Sequence, residues 1–381
     1  MEVLLLLLSV SRLSNASTIE APDMSVWDNS YDLPWPLGDG QHRPMVVPWE
    51  EDTVNKKDIC IHGTFSRNFT GYEYVKQIYS ACEDAGEACE TGFCGERGPF
   101  FRHIEKKWDC QKLWGAKILD QPSMDRHPPN WERIPEGVRS HYVYGDPKLV
   151  KVTAPHNVYD NKYYGSKALN NDWTIEYIRK MEKQAHAGTI HGAYGVWHGR
   201  QLREIIKKFS AVKSKKSALV VGSEKPWVEA ILLSVGFETV TTLEYGTIRT
   251  FDPRMAAYTP SQFRSRVLAG EYAGDKAFDT VVVYSSVEHS GLGRYGDAIN
   301  PPGDLVMMAR VHCVTKPGGL LFFSAPISGR DDMIHFNGHR VYGPIMLPNL
   351  LANWKQVAAP YQFNSTGSAS RIIQPVVVLE A

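Results

Sequence analysis

Hydrophobic and polar positions follow a helical period between residues 172 and 210. Asp172 precedes apolar residues spaced three apart, which predicts a helix with Asp172 as its N-cap. A second helix is predicted over residues 196–209, because its apolar side chains recur on one face. The basic stretch 213–216 then separates these helices from the rest of the chain.

From residue 217 to the end, short apolar runs alternate with helical segments. Predicted helices begin near Pro226, at Thr259–Pro260 and at Asp304, where Asp304 is the expected N-cap of a helix over 305–314. Predicted strands occupy residues 217–221, 237–243, 278–284 and 320–324, with a terminal pair over 354–359 and 372–379. Continuous apolar strands alternating with helices predict an α/β fold: a doubly wound, mostly parallel sheet covered on both faces.

The region before residue 166 differs in composition and periodicity. Residues 17–165 are rich in Cys, Trp and Pro and show poor periodicity, which predicts loops, short helices and disulfides. One short helix is expected over 72–82. We therefore divide the chain into a signal peptide over 1–16, an irregular Cys-rich region over 17–165 and a sheet domain with its helical lead-in over 166–381.

The N-terminus and the cysteines indicate a secretory protein. An apolar run over 3–10 followed by small residues is typical of a signal peptide, although a buried helix or a misassigned start codon are alternatives. Sequons at Asn68 and Asn364 fit a glycoprotein. Five cysteines lie between residues 60 and 110 and the sixth is Cys313, so one of the five is free, pairs with Cys313 or pairs between chains. We expect a secreted protein or one of the ER or Golgi lumen.

Charge and hydropathy remove two classes of protein. Lys plus Arg and Asp plus Glu both number 42, so no net positive charge favours a nucleic-acid partner. No apolar stretch approaches the roughly 20 residues that span a bilayer, so no transmembrane segment is predicted. The sequence does not predict an oligomeric state.

The ends of the first two predicted strands carry candidate cofactor ligands. Gly222 ends the first strand and Glu244 ends the second, 22 positions later, where a carboxylate can accept hydrogen bonds from a ribose. After Gly222 and Ser223 the chain lacks the G-x-G-x-x-G pattern, Pro226 has no amide hydrogen, and Glu224 repels phosphate. A cofactor with a ribose and no phosphate fits better, which indicates S-adenosyl-L-methionine.

Several motifs resemble known families. The run 278–283 leading to 286–289, and the K-P-G-G turn over 316–319, look like the fourth and fifth strand regions of class I S-adenosylmethionine-dependent methyltransferases. Residues 221–229, 285–297 and 335–343 are similar to a mostly nematode family catalogued as a domain of unknown function. This resemblance covers about residues 150–381. It implies a Rossmann-like methyltransferase fold with a reversed last strand and no established reaction.

The resemblance and the residue chemistry together nominate a site. Gly222, Ser223, Glu244, Ser286 and Glu288 are the expected cofactor-binding residues. The region after the fourth strand faces the reacting centre, and a hydroxyl acceptor needs a base. The candidate bases are, in order, His289, His339 and His335. Arg294 and Arg340 are candidate ligands of an anionic group on the acceptor. No metal is expected, because the turn signal Asn337–Gly338 separates His335 from His339.

The leading functional hypothesis is a secretory methyltransferase-like protein that O-methylates a glycan or another small hydroxyl acceptor. One alternative is a non-catalytic secreted binding or structural protein on a degenerate methyltransferase scaffold. Another is an enzyme that uses a nucleotide sugar in the same crevice. Fold alone does not choose among them, so enzymatic activity is an open expectation.

Overall fold

The computed structural model describes eight segments of the chain, all within one compact unit: residues 73–90, 103–120, 131–153, 171–295, 297–329, 331–358, 360–361 and 372–381. The predicted signal peptide 1–16 lies outside the described residues, as do the sequons at Asn68 and Asn364. No described helix combines the length and apolar composition needed to cross a bilayer.

The helices and strands are numbered here in chain order. The helices are α1 (Glu73–Asp84), α2 (Cys110–Gly115), α3 (Glu136–Tyr142), α4 (Ile175–His186), α5 (Val196–Phe209), α6 (Trp227–Val235), α7 (Pro260–Leu268), α8 (Gly303–Cys313) and α9 (Met346–Leu350). The strands are β1 (Val150–Thr153), β2 (Asn171–Trp173), β3 (Ser217–Val221), β4 (Thr239–Leu243), β5 (Ile248–Thr250), β6 (Met255–Tyr258), β7 (Phe278–Tyr284), β8 (Thr315–Ser324), β9 (Ile327–Ser328), β10 (Asp332–His335), β11 (His339–Val341), β12 (Lys355–Gln356), β13 (Ile372–Ile373) and β14 (Val377–Glu380).

A seven-stranded sheet forms the centre, in the order β12-β14-β8-β7-β3-β4-β6. Strands β6, β4, β3, β7 and β8 run parallel, whereas β14 is antiparallel to β8. The predicted fold class is thereby confirmed: a doubly wound, mostly parallel sheet with a reversed last strand. The strand order reverses beside β3, so the carboxyl ends of β3, β4 and β7 meet at the edge where ligands of such sheets bind.

Burial explains why these segments form the centre. All seven residues of β7 are buried, which requires cover on both faces of the sheet. On one face α4, α5 and α6 pack in a cluster with Val220, Val282 and Phe322. Gly236 is the C-cap of α6 and lies in the left-handed region, at φ 101°, which glycine adopts without a steric penalty. The helix at Pro260 begins with a capping box between Thr259 and Gln262.

Two predicted N-caps are wrong. Asp172 lies in β2 and its carboxylate accepts from Arg249 at 2.7 Å, while the Thr174 hydroxyl caps α4. Asp304 lies inside the first turn of α8 and its Oδ2 is 3.3 Å from Nε of Arg340. Each carboxylate has a guanidinium partner on a strand that is distant in sequence: Asp172 is in register with Arg249 of β5, and Asp304 is paired with Arg340 of β11.

Parts of the Cys-rich region pack onto the sheet domain. Ile78 of α1 and Leu113 of α2 share a buried cluster with Val306 of α8, and β1 pairs with β10 in parallel. Disulfides join Cys82 to Cys89 and Cys110 to Cys313. Of the open pairings for the cysteine cluster, the structure therefore contains the bond to Cys313. Cys60 and Cys94 lie outside the described residues.

Candidate functional site

Gly222 follows β3 in the left-handed region, at φ 77°. A side chain here would collide with Cβ of Ser286, whose hydroxyl donates to the Val221 carbonyl at 2.6 Å. The glycine therefore permits a close approach, as the sequence indicates, but the group that approaches is Ser286 of the chain itself. Both residues are predicted cofactor ligands, and the structure brings them into direct contact with each other.

Glu244 follows β4, and its carboxylate turns toward the loop after β3. Oε2 accepts from the Ser223 amide at 2.7 Å, and Oε1 accepts from the amides of Tyr245 at 2.7 Å and Gly246 at 3.4 Å. A carboxylate has about four acceptor sites, so about one is left for a ligand. Burial raises the pKa of Glu244 while the three amides oppose that rise. The structure thus joins Ser223 and Glu244 at one strand edge, as predicted.

A second carboxyl group, that of Glu229 in α6, lies behind this loop. It is fully buried, and its two oxygens accept from the hydroxyls of Thr242 at 2.8 Å and Ser223 at 3.1 Å. Burial raises the pKa of Glu229 to about 7. Sequence reasoning gave Glu229 no role, although a lone glutamate in the otherwise apolar helix Trp227–Val235 is a signal for a buried polar contact.

Three side chains form a line of hydroxyl and carboxyl groups at the carboxyl end of β7. The Tyr194 hydroxyl donates to Ser285 Oγ, which donates to Glu288 Oε1 at 2.6 Å. Glu288 is fully buried, and its Oε2 has no hydrogen-bond partner. Burial raises the pKa of Glu288 to about 7. Its predicted contact with a cofactor does not suit this enclosure, and a proton-holding role suits it better.

The three predicted histidines are neighbours. His335 and His339 face each other across the β10–β11 hairpin, with ring centroids 4.9 Å apart, and the His289 ring is 6.3 Å from that of His339. Asn337 turns the hairpin at φ 59°, which confirms the predicted turn. Among the described residues no cluster of three or more His, Cys, Asp or Glu side chains could hold a metal ion.

These imidazoles are neutral at pH 7. His289 Nδ1 lies 2.6 Å from the Gly338 carbonyl, which can only accept, so Nδ1 carries the proton. Burial lowers the pKa of His289 to about 3 and that of His339 to about 4, and it also lowers the pKa of His335. A base with so low a pKa takes a proton weakly at neutral pH.

The two predicted arginines differ in position. Arg294 is half-buried and donates to the Asn337 carbonyl at 3.2 Å. Arg340 is fully buried: its Nε is 3.3 Å from Asp304, and it donates to the Ser290 carbonyl at 2.6 Å. Its guanidinium faces the interior, so the position of Arg340 does not suit the predicted role in acceptor binding.

A small cavity adjoins Tyr245, the residue after Glu244. The apolar side chains of Val306 and Met307 line it, together with the polar side chains of Asn300 and Arg310. Asn300 is buried and its Oδ1 has no hydrogen-bond partner. A buried, unsatisfied acceptor beside apolar groups is a suitable place for a ligand that donates a hydrogen bond.

Comparison with protein families supports the sequence interpretation. Residues 215–372 match the model of a family described as a Caenorhabditis protein of unknown function, DUF268. The predicted resemblance to that nematode family is confirmed over these residues. No curated protein sequence matches the chain.

Similar solved structures include three methyltransferases. The Burkholderia thailandensis 1,6-didemethyltoxoflavin-N1-methyltransferase with bound S-adenosylhomocysteine is 15% identical, with 54% of this chain and 88% of that chain covered and a TM-score of 0.34. The N-methyltransferase NodS from Bradyrhizobium japonicum with S-adenosylhomocysteine is 12% identical, covers 53% and 97%, and has a TM-score of 0.32. A Leishmania major S-adenosylmethionine-dependent methyltransferase is 10% identical, covers 73% and 96%, and has a TM-score of 0.33. The fold assignment rests on the strand order described above.

Proposed function

We propose that this protein binds S-adenosylmethionine at the carboxyl edge of the sheet and transfers its methyl group to a hydroxyl acceptor. The observation that carries the proposal is the Glu244 carboxylate, which follows β4 and is fixed against the loop after β3 by backbone amides. A carboxylate at that position suits a ribose hydroxyl. The free acceptor site on Glu244 matches one hydroxyl, fewer than the two that a ribose can offer.

A small cavity near Glu244 offers a further polar contact. Val306, Met307 and Arg310 line it beside Tyr245, together with Asn300, whose unsatisfied Oδ1 would accept a hydrogen bond from a ligand. S-adenosylmethionine, when bound, supplies an already activated methyl group, so the protein contributes alignment of the acceptor and, for a hydroxyl, a base.

The proton acceptor for this reaction is better supplied by Glu288 than by the predicted bases. The pKa of Glu288 is about 7, close to neutral pH, whereas that of His289 is about 3. His289 lies beside Glu288, with Nε2 3.9 Å from Oε1, and orients the hairpin through Gly338. His335 and His339 extend this neutral surface, and Arg294 is the cation that we propose contacts the acceptor.

The secretory pathway is part of the proposal. Two disulfides in the described residues, Cys82–Cys89 and Cys110–Cys313, suit an oxidising compartment. A glycan is the acceptor we favour there, since it carries many neutral hydroxyls. Glycosidase treatment and thiol titration of protein from its native source test the compartment: an unchanged mobility together with six free thiols would reject it.

A second candidate function is a scaffold that no longer binds the cofactor. Ser286 supports it, because its side chain occupies the space directly over Gly222. In that case recognition would be the task of the Cys-rich region. Ser286→Gly separates the two candidates, since it vacates the space over Gly222 without touching Glu244.

Calorimetry with S-adenosylhomocysteine tests the proposal. We expect wild-type protein to bind and Glu244→Ala to weaken binding by about 10-fold or more, since a hydrogen bond to a charged group contributes about 1.5–3 kcal/mol. Glu271→Ala, which removes a surface partner of Arg266, is the matched control and should bind normally. Absence of binding in wild type, with binding gained in Ser286→Gly, would establish the scaffold instead.

A further inference from the structure

The line of hydroxyls at the end of β7 has a direction. Tyr194 is 44% exposed, Ser285 is half-buried and Glu288 is fully buried, so the line leads from the surface to the interior. Glu288 ends the line as an acceptor from Ser285, and Ser285 accepts from Tyr194. Both hydrogens therefore point inward, toward the carboxylate.

The carboxylate at the inner end of the line has an oxygen whose hydrogen-bonding capacity is not satisfied. Glu288 Oε2 is buried without a hydrogen-bond partner, which costs free energy that a fold without use for it would avoid. Ser285 is held in the left-handed region, at φ 50°, where a non-glycine residue is uncommon. Backbone strain of this kind concentrates at functional sites.

The outer end of the line lies among exposed apolar side chains. Val196 and Trp197, at the start of α5, are 39% and 51% exposed, and they follow Tyr194 closely in the chain. The Tyr194 ring packs 5.8 Å from that of Tyr284, the last residue of β7. The Tyr194 hydroxyl is thus fixed at the edge of the sheet, beside an apolar surface.

We propose that Tyr194, Ser285 and Glu288 form a relay that carries the proton of a neutral alcohol acceptor from the surface to the buried carboxylate. The inference rests on the proposed methyl transfer and extends it by naming the acceptor class and the route of the proton. Tyr194 is the member that touches the acceptor. Ser285 and Glu288 act through it.

The transfer balances atoms and charge. The bond between the methyl carbon and the acceptor oxygen forms as the carbon–sulfur bond breaks, and the alcohol proton passes to Tyr194 Oη. The tyrosine proton passes to Ser285 Oγ, and the serine proton passes to Glu288. The sulfonium charge and the carboxylate charge are both lost, so the products are a thioether, an ether and a neutral carboxyl group.

The need for such a relay selects the acceptor class. An alcohol keeps its proton at neutral pH, so the proton must leave as the new bond forms. A neutral amine attacks through its lone pair and a carboxylate has no proton to lose, so neither needs a base. A relay that ends on a carboxylate therefore fits a neutral alcohol.

The groups around Glu288 set the pH at which the relay operates. Arg340 of β11 favours the carboxylate, while the neighbouring phenols of Tyr194, Tyr284 and Tyr342 and the neutral His289 surround it. Burial outweighs Arg340 and raises the pKa of Glu288 to about 7. The carboxylate form gains population as pH rises, so transfer to an alcohol should rise with pH and reach half its maximum near pH 7.

Methyl transfer from labelled S-adenosylmethionine is measured with two probes, methyl β-D-glucopyranoside as the alcohol and benzylamine as the amine. We expect methylation of the glucoside, with Tyr194→Phe and Glu288→Gln reducing its rate by about 10²–10⁴-fold and removing the rise near pH 7. Tyr361→Phe is the matched control, since its hydroxyl bonds to Lys208 outside the relay. Methylation of benzylamine alone, or a wild-type rate and pH profile in Glu288→Gln, would overturn the relay.

Infrared titration checks the relay without an acceptor. We expect a protonated carboxyl band that titrates near pH 7, is missing in Glu288→Gln and shifts in Ser285→Ala and Tyr194→Phe. A band that is unchanged in both hydroxyl variants would overturn the proposal. Affinity for S-adenosylhomocysteine is measured in parallel. If all variants bind S-adenosylhomocysteine equally and the hydroxyl variants leave the carboxyl band unchanged, the relay alone is rejected. If wild-type protein does not bind S-adenosylhomocysteine, the proposed function is rejected.

Discussion

The carboxylates that follow β4 and β7 lie at the same edge of the sheet and are held in opposite ways. Glu244 is partly exposed and accepts from three backbone amides. Glu288 is fully buried, accepts from the side-chain hydroxyl of Ser285, and keeps one oxygen without a partner. One strand end fixes its carboxylate with groups that never change protonation, and the other connects it to groups that can pass a proton.

This difference separates binding from proton transfer. Amide donors favour the charged form of Glu244, which is the form that accepts from a ligand hydroxyl. Burial of Glu288 outweighs the backbone amides of Glu288 and Ser286 and brings its pKa to about 7, so both of its forms are present at neutral pH. The same residue type therefore suits a ligand contact after β4 and a proton acceptor after β7.

Removing the contacts of Arg340 with the loop that follows Glu288 should have the largest effect on stability. Arg340 is paired with Asp304 and donates to carbonyls of that loop, including Ser290. Arg340→Met leaves the Asp304 carboxylate buried with its Tyr342 hydrogen bond but without a cation, so we expect the free energy of unfolding to fall by about 3–5 kcal/mol. Urea denaturation measures it. Arg249→Met breaks an exposed pair with Asp172 and should leave the midpoint unchanged. Equal effects would show that the loop is not held by Arg340.

The sequence predicts the secondary structure around the two carboxylates well. Apolar runs and the predicted helix start at Thr259–Pro260 are local signals, so the positions of the sheet strands and of several helices follow from them. The position of Glu244 at the end of β4 also follows, because strand ends are readable from apolar periodicity. What the carboxylates contact is set by residues far apart in sequence.

Long-range contacts account for what the sequence does not predict. Asp304 of α8 binds Arg340 of β11 instead of capping a helix, and Ser286 fills the space over Gly222. The Tyr194 hydroxyl meets Ser285 91 positions away, which no local pattern encodes. The clustering of His289 with His339 depends in the same way on how the hairpin after β10 packs.

The second effect is a pH dependence of stability that distinguishes the two carboxylates. Glu288 has an ordinary pKa of 4.5 and a folded value of about 7, so the folded state keeps a proton that the unfolded chain releases between these values. The contribution of Glu288 to the free energy of unfolding should therefore fall as pH rises from about 4.5 to 7. His289 and His339, whose folded pKa values are about 3 and 4, contribute a rise with pH below their ordinary pKa of 6.5, so the effect of Glu288 is read as the difference between wild type and variant. We expect Glu288→Gln to remove about 2–3 kcal/mol of this fall.

Urea denaturation from pH 4 to 8 gives the slopes. The pKa of Glu229 is also raised to about 7, so Glu229→Gln should likewise remove part of the fall in the free energy of unfolding. Glu244→Gln should remove less, because amides oppose the rise in its pKa. A wild-type slope in Glu288→Gln would show that the two strand ends do not differ in proton affinity.

The smallest effect concerns the contact between Gly222, which follows β3, and Ser286, which follows β7. Gly222→Ala places a methyl group against Ser286 at a φ of 77°, so we expect a loss of about 1–3 kcal/mol in the free energy of unfolding. Ser286→Gly should restore the steric part of that loss, because the new Cβ then has room, while the strain at φ remains. The loss caused by Gly222→Ala should therefore be smaller in the Ser286→Gly background than in wild type, a comparison in which the lost hydrogen bond from Ser286 to Val221 cancels. If the two changes add without coupling in urea denaturation, Ser286 does not close the space over Gly222, and the strand end after β3 is open to a ligand as well as the one after β4.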